Sequence, residues 1–101
     1  MLKKLNKQNF DNTIKSHPHT LVKFGAIWCG PCKMVSNILT QIKDIEVYEV
    51  DVDEEYDLVE KYKIAHLPTI LIFDNNINVI KQFVGSINKD ELNAFITTLH
   101  A

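Results

Sequence analysis

The sequence predicts an α/β domain built on a mixed central β-sheet of about five strands flanked by four helices. Three observations carry that expectation. Strand-like and helix-like segments alternate from residue 2 to residue 63. Two more apolar runs, Thr69 to Phe73 and Val79 to Val84, flank Asp74-Asn75-Asn76, a turn whose residues tolerate left-handed φ, and so read as a hairpin. A last amphipathic segment then closes the chain. A βαβαβ order followed by ββα requires parallel and antiparallel pairings in one sheet, with helices on both faces.

Leu2 to Leu5 reads as an edge strand, and Phe10 with Ile14 marks one side of a first helix ending near His17-Pro18-His19. Thr20 to Ile27 is apolar enough for a buried central strand that delivers Trp28 and two cysteines at its carboxyl end. After Pro31, the residues Met34, Val35, Ile38, Leu39 and Ile42 recur at helical spacing, which leaves Lys33, Asn37 and Lys43 on the wet face. Ile45 to Val52 alternates and is rich in valine, as a second parallel strand would be. Asp53 is expected to N-cap a helix through Lys63, with Leu58, Val59 and Tyr62 facing inward. Asn88-Lys89-Asp90-Glu91 has a capping-box pattern, and Leu92, Phe95, Ile96 and Leu99 form the apolar stripe of the final helix.

Composition narrows the function. At 101 residues and 46% hydrophobic, the chain suits one domain, residues 1–101, with a core of its own. Net charge is -2, and all 11 basic residues are lysine. Without arginine there is no bidentate fork for phosphate, and no basic run occurs, which disfavours nucleic acid. Met1 to Asn6 lacks the apolar stretch of a signal peptide, and no segment approaches the ~20 apolar residues of a membrane span. The expectation is a cytoplasmic monomer with no membrane partner and with thiols reduced at rest.

The chemistry lies in Trp28-Cys29-Gly30-Pro31-Cys32, which holds the only two cysteines. With Cys29 at the mouth of a helix and Cys32 in its first turn, the sulfurs can close a small ring or stand apart as thiols with little backbone movement. Unpaired backbone N–H groups and the positive end of the helix dipole favour a Cys29 thiolate. An ordinary thiol is only roughly 3% ionised at pH 7, so this shift governs reactivity. Pro31 fits the start of a helix because it needs no N–H partner there, and Gly30 lets the turn form and a partner chain approach.

Other uses of the pair fit less well. Inert buried cysteines would not need Trp, Gly and Pro packed around them. A zinc site needs two further ligands, and His17, His19, His66 and His100 supply no second pair at finger spacing, so no metal is expected. A permanent structural disulfide suits neither so short a loop nor a chain without an export signal.

On these residues the chain resembles the thioredoxin family over essentially all its length. Trp28-Cys29-Gly30-Pro31-Cys32-Lys33 matches the family's active-site motif, and Leu67-Pro68-Thr69 matches its cis-proline loop. Val84-Gly85 stands where the family has a glycine lining the docking groove. The resemblance implies a thioredoxin fold and a dithiol protein with no bound cofactor beyond its redox-active disulfide. Electrons would come from NADPH through a flavin-dependent thioredoxin reductase and pass to client proteins with disulfides. It further implies that Cys29 is the nucleophile and Cys32 the resolving thiol, with Gly30 and Pro31 shaping the ring. Trp28, Leu67, Pro68, Thr69, Val84 and Gly85 would meet the client; a cis Pro68 would offer the Leu67 backbone to an extended client strand.

The departures from the family are equally specific. Six residues before Cys29, where the family usually has a buried aspartate thought to relay protons, stands Lys23; opposite it, where a lysine is usual, stands Glu49. A lone buried lysine is costly, so Lys23 is expected to pair with Glu49 or to reach water along its stem. If paired, Glu49 takes the relay, and the Lys23 cation favours a Cys32 thiolate. His66 brings an imidazole near the proline loop, Asn37 replaces a common helix proline, and Gly25 replaces a large residue, commonly Trp. The leading reading is a general disulfide reductase. Its rivals are a dedicated redox partner of one client, with an atypical potential, and a non-catalytic assembly subunit; a glutathione-binding signature is not visible around Leu67-Pro68-Thr69.

Overall fold

The computed structural model describes residues 2–100. The elements run β1 (Lys3–Lys4), α1 (Phe10–Lys15), β2 (His19–Gly25), α2 (Gly30–Leu39), β3 (Glu46–Asp51), α3 (Tyr56–Lys61), β4 (Thr69–Asp74), β5 (Val79–Val84) and α4 (Lys89–Thr98). They form one five-stranded sheet in the order β1-β3-β2-β4-β5. Strands β1, β3 and β2 are parallel, while β4 runs antiparallel to both β2 and β5. The mixed sheet and four helices match the expectation from sequence.

Alternation along the central strand builds two cores. Val22 and Phe24 point to one face, where they meet Phe10 and Ile14 of α1, Leu58 of α3, and Phe73. Leu21 points to the other, against Val35 and Leu39 of α2 and Leu92 and Ile96 of α4. On the first face Tyr62 and Phe10 pack with ring centroids 5.5 Å apart, and each stands edge-on to Phe73. On the second face the strand continues from Leu21 to Lys23 and Gly25, so a charge and a gap occupy positions that an apolar side chain would ordinarily fill.

Several local expectations are corrected. The central strand stops at Gly25, and Ile27 lies in a turn with three quarters of its surface exposed. Met34 is also exposed, because the inward positions of α2 are Cys32, Val35 and Leu39. Asp53 does not cap α3, which begins three residues later at Tyr56 behind Glu55. The carboxylate of Asp53 instead accepts from the Trp28 indole N–H at 2.8 Å, while that of Glu55 accepts from the Lys7 amide at 2.9 Å. A tertiary bond has outcompeted the local cap at each position.

In the β4–β5 turn the residue with left-handed φ is Ile77 (63°), rather than either asparagine. The Asp74 carboxylate draws in the amides of Asn76 and Asn78, and Ile77 packs its side chain on the first core. That packing holds a β-branched residue where it is rarely found. The Asn88 cap is formed as expected, with its side chain accepting from the Asp90 and Glu91 amides.

Candidate active site

The carboxyl ends of β2, β3 and β5 and the amino end of β4 meet at one edge of the sheet. Strand β2 ends at Gly25, a turn closed by Cys29 N–H on the Ala26 carbonyl follows, and α2 starts at Gly30. Cys29 is the N-cap of α2 with extended backbone, and its sulfur accepts from the Cys32 amide at 3.2 Å. Pro31 occupies the first turn, where its missing N–H leaves no carbonyl unpaired. The two cysteines are joined as a disulfide across a Cα separation of 5.3 Å. Cys29 is 6% exposed and Cys32 1%, so the nucleophile predicted from sequence is the more accessible sulfur.

Around the sulfurs the edge is apolar and open. Trp28 is 70% exposed, anchored through its indole N–H to Asp53. The Leu67–Pro68 peptide is cis, and the Pro68 carbonyl accepts from the Gly85 amide at 2.8 Å. Phe24 pairs with Thr69 and Thr69 with Val84, so the proline loop follows directly on the strand register and lies between the ends of β2 and β5. Gly85 has φ of 81°, a conformation that disfavours any side chain, and the space above its Cα is empty. Val84 beside it is half exposed. Thr69 is buried, and its hydroxyl donates to the His66 carbonyl at 2.6 Å, which spends it on shaping the loop. His66 itself is exposed and enters the described contacts of the loop through that carbonyl.

Behind the disulfide the surroundings reverse in character. Lys23 is 6% exposed, and its ammonium donates to the Ser36 hydroxyl and lies 3.7 Å from the Glu49 carboxylate. The register places Lys23 directly opposite Glu49, so the pair expected from sequence is formed. Ser36 was not anticipated from sequence, although its place four residues after Cys32 puts it one helical turn along the same face. These groups border a cavity of about 170 Å³. Among the described residues no group of three His, Cys, Asp or Glu side chains stands together as a metal would require, and no helix is long and apolar enough to cross a membrane.

Comparisons with known proteins agree with this geometry. The Thioredoxin family model matches residues 1–98. A thioredoxin-2 from Pyricularia oryzae is 36% identical over 99 residues, covering 94% of this chain and 57% of the relative. The thioredoxin of Pseudomonas aeruginosa is 33% identical over 91 residues, covering 84% and 82%, and a mitochondrial thioredoxin of Bos taurus is 33% identical over 94, covering 88% and 56%. The chain therefore spans little more than half the length of the fungal and bovine relatives. Among solved structures, a mutant thioredoxin from Halobacterium salinarum superposes with a TM-score of 0.88 at 27% identity, over 99% of this chain and 90% of that one. With its fold, its cysteine pair and its proline loop all in place, the chain belongs to the thioredoxin family.

Proposed function

We propose that the chain is a protein dithiol–disulfide oxidoreductase that reduces disulfides in client proteins through Cys29 and Cys32. The observation that carries this reading is the placement of the Cys29 sulfur at the N-terminus of α2, accepting from the Cys32 amide and backed by the helix dipole. In the reduced protein that environment favours a thiolate at Cys29. The thiolate attacks one sulfur of the client disulfide, and the other client sulfur leaves and takes up a proton. Cys32 then loses its proton and attacks Cys29. The bond to the client breaks, the Cys29–Cys32 bond re-forms, and the client departs with both its sulfurs reduced.

The two electrons given to the client are replaced from NADPH through a flavin-dependent thioredoxin reductase. No cofactor is held by this chain in the cycle. The client lies along the apolar edge, over Trp28 and Val84 and across the open ground at Gly85, with the Leu67 and Pro68 backbone beside it and Thr69 holding the loop in shape. Gly30 and Pro31 set the ring between the sulfurs. The protein works as a monomer in a reducing compartment, for which the cytoplasm is our choice. The test is insulin reduction with NADPH and thioredoxin reductase: turnover that vanishes in Cys29→Ser supports the reading, and absence of turnover with any reductase defeats it.

A further inference from the structure

We propose that Lys23 is a positioning residue for the resolving step: its ammonium, fixed by Ser36 and Glu49, is a built-in countercharge for the Cys32 thiolate. The proposal deepens the oxidoreductase reading and rests on it. Among the described residues Lys23 is the only buried lysine. Ion pairs buried this deeply repay little of their desolvation, and an apolar side chain of similar size ordinarily serves a core as well or better. A reason for the lysine must therefore be found in what it adjoins.

It adjoins the sulfur. A Cβ placed on Gly25 would lie 3.2 Å from the Cys32 Sγ and 3.3 Å from the Lys23 Cε. The lysine stem and the sulfur thus flank one point, within twice that radius of each other. Gly25 leaves that point empty, since a Cβ there would press on both the sulfur and the lysine stem. Lys23 sits on the strand facing Cys32, whereas Glu49 is on the next strand and is the more solvated of the pair, with side-chain exposure of 23% against 8%. Water weakens the carboxylate's field at the sulfur more than it weakens the ammonium's.

Lys4 of β1, Lys33 of α2 and Asp51 of β3 border the same cavity. Lys4 reaches the exposed Glu54 at 3.8 Å, and the Asp51 carboxylate is engaged by the Asp53 amide at 2.9 Å. Of the charged residues that border the cavity, Lys23 is the one whose stem is placed against the same point as the Cys32 sulfur.

The consequence is chemical. When Cys32 resolves the mixed disulfide, its proton is released to solvent. The sulfur left behind attacks Cys29, and the client sulfur leaves with the bonding pair. A cation beside Cys32 stabilises the thiolate before the attack and has no such partner once the disulfide has formed. It therefore favours the reduced protein, raising the redox potential and making the protein a weaker reductant than it would be without the lysine.

The test is a titration of the Cys32 Cβ resonance in the reduced, full-length protein, which needs no client and no reductase. Lys23→Met, close in size and uncharged, is expected to raise the Cys32 pKa by about one unit, tenfold in the ionisation equilibrium, and to lower the redox potential. Lys23→Arg is expected to stay near the parent value. Lys23→Gln stands in if the methionine variant does not fold. An unchanged or lowered Cys32 pKa in the uncharged variant overturns the proposal, and so does an equal rise in Lys23→Arg, which would trace the effect to packing. Failure of insulin reduction with the shift present would sink the reductase reading alone.

Discussion

The two sides of the disulfide differ in almost every physical respect. In front, Trp28 and Val84 expose apolar surface, and Gly85 leaves open ground for another chain. Behind, a buried Lys23 and the half-buried Ser36 and Glu49 form a polar cluster on the side of Cys32. The front carries the motifs on which the family resemblance rests, whereas the back carries the Lys23–Glu49 pair. The exposed edge and the polar surroundings of the inner sulfur are thus built separately, on opposite sides of the helix entrance.

The comparison breaks most sharply at the sulfurs themselves. Cys29→Ser should lower insulin reduction by on the order of a thousandfold or more, since the one thiol left, Cys32, is only 1% exposed and out of a client's reach. Cys32→Ser should instead accumulate the client mixed disulfide, visible as a covalent adduct on a non-reducing gel. Equal behaviour of the two variants would show that the division between outer and inner sulfur has been misdrawn.

The back is probed next by Gly25→Ala. The new methyl would stand 3.2 Å from the Cys32 Sγ and 3.3 Å from the Lys23 Cε, tighter than ordinary contact, and α2 or the lysine must yield. A loss of about 1 kcal/mol is expected, or a melting temperature lower by roughly 4–8 °C for a domain of this size. Adding Lys23→Ala, which removes the crowded Cε, should shrink the effect of the new methyl in a double-mutant cycle. Strict additivity would mean that the stem and Gly25 are not coupled.

On the front, Trp28→Phe keeps an exposed aromatic ring, smaller than the indole, and removes the bond to Asp53. Insulin reduction should fall about fivefold, the equivalent of one hydrogen bond of ~1 kcal/mol, with little change in melting temperature. Asp53→Ala should reproduce the loss. If it does not, the indole bond has no part in holding the docking edge.

The smallest effect is expected far from both sides, in the hairpin turn. The Asn78 amide, chiefly, holds the Asp74 carboxyl below its ordinary value; burial, the next-largest influence, opposes it, and the Asn78 side chain, the Asn76 amide and the charge of His19 add to the lowering. A carboxyl depressed in the folded state stabilises the protein above its unfolded pKa, and that stability drains away as pH falls through the folded value. The drop in melting temperature between about pH 7 and about pH 3 should therefore be smaller in Asp74→Asn than in the parent.

The legibility of the chain follows the range of the forces involved. The period of apolar residues located every strand and helix, because burial on one face is recorded locally. It erred where a distant partner intervened: Asp53 looked like a cap, yet Trp28 holds its carboxylate, and Met34 looked apolar enough for the core, yet α2 turns it to water. At the site, Cys29, Pro31 and Cys32 are readable from their spacing, and the opposition of Lys23 and Glu49 from the resemblance to the family. Ser36 went unremarked, since a serine on a helix announces nothing until a buried ammonium is found against it.

The sequence by itself determined the order of elements, the mixed sheet, the cysteine pair and the family, all of which depend on local pattern and spacing. Only the tertiary structure decided that the Lys23 stem and the Cys32 sulfur flank the gap at Gly25, and that the ammonium is shared between Ser36 of α2 and Glu49 of β3. The reason is physical: a charge acts through distance and solvation, and both are set by how β2, β3 and α2 pack together, which no single segment encodes.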